Sequence, residues 1–183
     1  MSDVQVLLLP GWQNSGPEHW QSRWEAKHGD IRVQQHDWMR PLRGDWQIQL
    51  EEAVLASSRP VAFAAHSLGC ILVAAWAAHS RLTHKVRGAL LVAPGDTERD
   101  DLRQMIPGWA PIIRQRLPFA ACMVAADNDP FCSAERSRDM ARDWGANYID
   151  AGPLGHINAE SGLGDWSEGR HLLEDLLASP PKN

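Results

Sequence analysis

The chain has 183 residues, with 18 Lys and Arg against 23 Asp and Glu and a formal net charge of −5. That length suits one domain, assigned to residues 1–183, with a core large enough to fold without disulfides. The acidic balance offers no basic stripe for a phosphate backbone and argues against a nucleic-acid partner.

Met1-Ser2-Asp3 carries no basic region, and the first apolar run, Val4–Leu9, is too short for a signal or membrane segment, so a soluble cytoplasmic chain is expected. Cys70, Cys122 and Cys132 lack the close spacing of a zinc site or disulfide framework and read as reduced, buried thiols.

Along the chain, strand-length apolar runs alternate with helical patterns. Val4–Leu9 leads into the turn Pro10-Gly11-Trp12. Trp20 and Trp24, four apart, mark a helix before the second run, Ile31–Gln35, and Trp46, Leu50 and Val54 with Ala53 mark the next. These stripes are expected in the core. The third run, Val61–Ala65, meets Ala65-His66-Ser67-Leu68-Gly69 and then an apolar helix-like stretch, Cys70–Ala78. Gly88–Val92 and Ala121–Ala125 follow, separated by Pro94–Pro118. Ser133–Trp144 opens on a serine cap with Glu135 in its first turn and stops at Gly145, the start and stop chemistry of a helix. Tyr148–Asp150 is the last strand and Glu168–Leu177 the last helix, ended by Pro180-Pro181 before a frayed tail. Six strands alternating with helices predict a parallel sheet covered on both faces, with the polar runs Ile31–Gln35 and Tyr148–Asp150 at its edges.

The pentapeptide around Ser67 carries the chemistry. A serine between a strand and a helix, flanked by small residues (here Ala65 and Gly69), has the context of a nucleophile elbow, although alanine stands where the first glycine is usual. A serine hydroxyl is a poor nucleophile at neutral pH and needs a base, which in turn needs an acid to hold its tautomer. Both can be found downstream on loops after strands. Asp127-Asn128-Asp129-Pro130-Phe131 follows the fifth run, and Gly152-Pro153-Leu154-Gly155-His156 follows the sixth. Asp129 is preferred over Asp127 as the acid because Pro130 biases it to an extended backbone, while Asp127 suits an Asx-type turn. The order Ser67, Asp129, His156 results, with the backbone N–H groups of Leu68 and Trp12 as oxyanion donors. Read as metal ligands, Asp127, Asp129 and His156 supply too few oxygens for a hard cation, and no metal or cofactor is expected. His19, His28, His79, His84 and His171 fall in predicted helices or at their ends, in capping or solvated roles, and His66 is expected to support the elbow.

These segments, Leu8-Leu9-Pro10-Gly11-Trp12, His66-Ser67-Leu68-Gly69, Asp127-Asn128-Asp129-Pro130-Phe131-Cys132 and Gly155-His156-Ile157-Asn158-Ala159, resemble those of the small serine hydrolases that include YdeN-like proteins and the retinoblastoma-binding serine hydrolase. The resemblance covers nearly the whole chain. It implies a three-layer α/β-hydrolase fold with a reduced six-stranded parallel sheet, Ser67 as nucleophile, Asp129 as acid and His156 as base. The retinoblastoma-binding pattern Leu-x-Cys-x-Glu is absent, since Leu68-Gly69-Cys70 continues as Ile71-Leu72, so that partner is not carried over.

Pro94–Pro118 is too short for a full cap domain, which predicts a shallow, open site with Trp109 and Phe131 as candidate pocket residues. Such a site favours small or short-acyl esters, with thioesters and amides as further options. The competing classes are a non-catalytic interaction module that keeps the fold and a flavodoxin-like binder. For the latter, the loop Gly11–Gly16 is only faintly phosphate-cradling.

Overall fold

The computed structural model describes residues 4–178; the sequence expectations for Met1–Asp3 and for the Pro180-Pro181 stop lie outside them. Six strands form one sheet: β1 (Gln5–Leu9), β2 (Ile31–Arg32), β3 (Val61–His66), β4 (Val86–Val92), β5 (Ala121–Ala125) and β6 (Asn147–Asp150). Their spatial order is β2-β1-β3-β4-β5-β6, and every pairing is parallel. Together with the helices on both faces this is a reduced α/β-hydrolase fold. The two polar runs lie at the edges, as expected, and the central β3 is buried along its whole length.

Side chains alternate between two cores. Leu7, Leu9, Phe63, Ala65, Leu91 and Met123 face one, closed by the helices α2 (Arg43–Ala56), α3 (Leu68–Ala77) and α5 (Ala134–Trp144). Leu8, Ala62, Ala64, Leu90, Val92 and Val124 face the other, closed by α1 (Trp20–His28) and α6 (Ser167–Ala178). The tryptophan stripes are core, as their spacing predicts. Six of the buried indoles also place their N–H: Trp20 on Ile157 O, Trp24 on Asp165 O, Trp46 on Asp37 O, Trp76 on Glu51, Trp109 on Pro41 O and Trp144 on Ile113 O. An indole buried with its N–H satisfied contributes its apolar area in full, about 4–6 kcal/mol each on area bookkeeping.

Two strand boundaries differ from expectation by more than one residue. β2 was expected to run to Gln35 but ends at Arg32, although Val33 N–H still donates to Leu8 O at 2.9 Å. The next ladder bond requires an N–H from residue 10, which is proline and has none. β4 starts two residues before Gly88, with an irregularity in its pairing to β3 between Val61 and Ala62.

The segment 94–118 holds a single short helix, α4 (Asp100–Met105). Ion pairs tie it down: Arg136 of α5 pairs with Asp96 at 3.1 Å and with Glu98, and Arg114 pairs with Asp143 at 2.9 Å. The three cysteines are buried, and burial pushes their thiols up, Cys122 to about 11, Cys132 to about 12 and Cys70 further still. No helix among the described residues is long and apolar enough to cross a membrane.

Chain direction across the sheet reverses between β1 and β3: β1 continues outward to β2, while β3 continues the opposite way to β4. Loops leaving the carboxyl ends of β1 and β3 therefore part to opposite faces and leave a crevice there. Ser67 stands at its edge.

Candidate active site

The turn between β3 and α3 is tight. Ser67 has φ 55° and ψ −119°, a sparsely populated conformation for a residue with a side chain, and its N–H is fixed on Val92 O at 2.9 Å. Such a backbone lifts the hydroxyl clear of the sheet. Close packing of α3 on β1 enforces the turn: a Cβ on Gly69 would lie 2.2 Å from Leu9 O, so no larger residue fits.

Three side chains from separate loops meet above the sheet. Ser67 Oγ lies 2.9 Å from His156 Nε2, and His156 Nδ1 lies 2.9 and 3.0 Å from the two oxygens of Asp129. A carboxylate only accepts, so Nδ1–H donates to Asp129 and the Nε2 lone pair faces the serine hydroxyl. The Asp129 side chain is 2% exposed, and its Oδ1 also accepts the Phe131 N–H at 2.9 Å, which helps hold the carboxylate in place. Asp127 is exposed, and its N–H donates to Gly152 O.

The His156 loop is anchored on three sides. His66 Nε2–H donates to His156 O at 2.8 Å, Trp20 Nε1–H to Ile157 O at 3.0 Å, and Gly155 N–H to Asn128 Oδ1 at 2.7 Å. Ile157 is held at φ 47° between these bonds. The rings of His19, His66 and His156 follow one another edge to face, with centroids 4.6 and 4.7 Å apart. Burial holds His66 well below the usual histidine range. It lowers His19 to about 3, helped by the nearby positive charge of Arg32 and by His156.

His19 is the residue that sequence reasoning placed least well. It caps α1 as expected, with Nδ1 accepting the Gln21 N–H at 3.1 Å, but it is buried and lines the cavity in front of Ser67. No local signal distinguishes it, because its burial comes from α1 packing over β3, where Gln21 Nε2 reaches Ala64 O at 2.9 Å.

The loop after β1 lies directly against the elbow. A Cβ on Gly11 would meet Ser67 Cβ at 2.8 Å and Leu68 N at 3.3 Å, so this contact requires glycine. Asn14 N–H returns to Gly11 O at 3.1 Å, and Trp12 Nε1 donates to Met39 O at 3.0 Å, which together set the path of the loop. Leu68 opens α3, where the first N–H groups have no partner within the helix. Trp12 and Leu68 border the same cavity as Ser67.

That cavity has a volume of about 650 Å³. One wall is the β1 loop, another is Phe131 with Asn158 and Glu160, and the third is Leu102, Met105 and Ile106 of the 94–118 segment. Trp109, expected from the sequence as a pocket residue, does not line it. Its indole is fully buried against Trp46 and donates to Pro41 O, so it serves the core beneath α2. Phe131 does line the cavity, with its ring centroid 4.6 Å from that of His156.

The serine hydrolase family model matches residues 6–175. The chain belongs to the serine hydrolase family. The fold is shared with a YdeN-like hydrolase from Pectobacterium atrosepticum (28% identity, TM-score 0.81, covering 94% of this chain and 90% of that one). It is also shared with the ydeN gene product of B. subtilis (18% identity, TM-score 0.75, 96% and 100% covered). Est1E from Butyrivibrio proteoclasticus, solved with ferulic acid bound, has the same fold at 10% identity and a TM-score of 0.71, with 96% and 90% covered. Among curated proteins, no sequence matches the chain.

Proposed function

We propose that this hydrolase cleaves small or short-acyl carboxylic esters through a covalent acyl-serine. The observation that carries the reading is the continuous relay from Ser67 Oγ through both nitrogens of His156 to Asp129, with each link at 2.9 Å. Ser67 Oγ attacks the acyl carbon while Nε2 of His156 takes its proton, and Asp129 holds the ring and offsets the charge it gains. The tetrahedral oxyanion is received by the backbone N–H groups of Leu68 and Trp12. Donors of this kind typically contribute about 3–4 kcal/mol each to the barrier. As the intermediate collapses, His156 returns the proton to the departing alcohol. Water then enters by the same route in reverse and releases the acid.

The acyl size limit follows from the walls. A short helix and its flanking loop border the cavity where larger hydrolases carry a cap, leaving about 650 Å³ open to solvent on one side. Long acyl chains find no enclosed apolar channel among these walls.

A fluorophosphonate probe is expected to label the wild type at Ser67 and to leave Ser67→Ala unlabelled. p-Nitrophenyl esters should be turned over with kcat/KM falling as the acyl chain lengthens. A folded wild type that ignores the probe and gives background rates with every ester and thioester would overturn the proposal in favour of a binding module.

A further inference from the structure

A second cleft of about 410 Å³ opens on the far side of His156. It shares Phe131, His156, Asn158 and Glu160 with the main cavity, and its remaining walls include Pro130, Pro153 and Leu154. Neither Ser67 nor the β1 loop reaches it. Phe131 and His156, packed edge to face and lining both, form the ridge between the two spaces.

This division assigns the two ends of a substrate. The reacting carbonyl must touch Ser67 Oγ and the Leu68 and Trp12 N–H groups, all on the main-cavity side. The leaving atom must face His156 Nε2, which protonates it. What is attached to that atom then crosses the ridge. We infer that the second cleft is a leaving-group subsite, selective for an alcohol with an apolar body and a cationic end.

Two observations set that chemistry. Pro130, Phe131, Pro153 and Leu154 present apolar walls, and Phe131 brings an aromatic ring of the kind that attracts a cation. Glu160 is the one formally charged side chain lining either space, and no ion pair neutralises its carboxylate among the described residues. The neutral polar side chains at that end are engaged: Asn158 Oδ1 accepts the Glu160 N–H at 3.0 Å, and Ser161 Oγ donates to Leu154 O at 2.7 Å and accepts the Asn158 N–H at 3.1 Å. The formal net charge of −5 favours the approach of a cationic alcohol over an anionic one, within the range that salt leaves unscreened.

The inference rests on the ester-hydrolase reading, and the test separates the two. With the acetyl group held constant, kcat/KM is compared for ethyl acetate, acetylcholine, its uncharged isostere 3,3-dimethylbutyl acetate, and the acetate ester of 4-hydroxybutyrate. The choline ester should exceed the isostere by about 5-fold, the expected effect of one opposite charge at a solvated rim, and the anionic ester should fall below both. Glu160→Gln should abolish the ratio of the choline ester to its isostere, whatever it does to the ethyl acetate rate, and Glu160→Lys should invert that ratio. Pro153→Trp, at an exposed position that borders only the second cleft, should raise KM for the isostere by more than it raises KM for ethyl acetate. Equal rates for the charged and uncharged isosteres, or a ranking that survives Glu160→Gln, would overturn the subsite. Fluorophosphonate labelling and ethyl acetate turnover that persist would then leave the hydrolase reading standing, while their loss would remove both.

Discussion

His66 Nε2 donates to the backbone carbonyl of His156 across 2.8 Å, so the residue just before Ser67 holds the chain segment that carries the proposed base. The bond joins the elbow to a loop 90 positions away and fixes the distance over which a proton must pass. His66→Phe keeps a ring in the same space but leaves a buried carbonyl without its donor, at a cost of about 1–3 kcal/mol. The expected outcome is a fall in kcat of about 10-fold with KM little altered, and partial recovery in His66→Gln, which restores a donor. Steady-state kinetics on a short-acyl ester measures both, and an equal rise in KM would point to a disturbed cavity instead.

Acid should destabilise the fold more than its surface histidines explain. His19 is lowered to about 3 and His66 is held well below the ordinary histidine value, so below about pH 6.5 the unfolded chain binds protons that the folded chain refuses, for His19 down to about pH 3. Stability is then full above pH 6.5 and falls by about 1.4 kcal/mol per pH unit for each such histidine as pH drops. His19→Asn retains a helix cap and removes one titrating group. Denaturant unfolding at a series of pH values should show a shallower acid limb for this variant, with the curves meeting near neutrality after correction for the mutation's own effect.

The two aspartates of the β5 loop should separate cleanly. Asp129→Asn keeps the shape of the relay but presents an amide that no longer enforces the Nδ1–H tautomer, and losses on the order of 10⁴ in kcat are typical of this change. Asp127→Asn, at an exposed position outside the relay, should stay within about 2-fold of wild type. Comparable losses in the two would refute the assignment of the acid.

Backbone strain at Ser67 gives a prediction about stability rather than rate. At φ 55° and ψ −119° any side chain is disfavoured, and only glycine relaxes there. Ser67→Gly should therefore be more stable than Ser67→Ala by about 1 kcal/mol, both being inactive. Thermal unfolding of the pair reads the difference directly.

The frame of this molecule is open to reading because its signals are local. Apolar runs gave the strands, polarity marked the two edges, and the serine cap and Gly145 bounded α5 at the residues found, Ala134–Trp144. The order of Ser67, Asp129 and His156 along the chain was readable for the same reason: each follows a strand. What resisted reading depends on contacts between distant segments. Trp109 lies in a segment that could have faced either the cavity or the core, and only the approach of Trp46 and Pro41 decides for the core. His19 looked like any helix-end histidine until α1 was laid across β3. The early end of β2 was local after all, since Pro10 was in plain sight, but its effect required knowing which strand pairs with which.

The three cysteines, last mentioned as packed-in thiols, make the protein an unusually blank background for covalent chemistry. Each is shielded within the fold and shifted far from the thiolate form that reacts with alkylating reagents or peroxide. A single cysteine introduced at the rim, in place of Glu160 or Pro153, would be the one exposed thiol among the described residues. A spectroscopic label placed there would report what passes between the two clefts without any native cysteine first being removed.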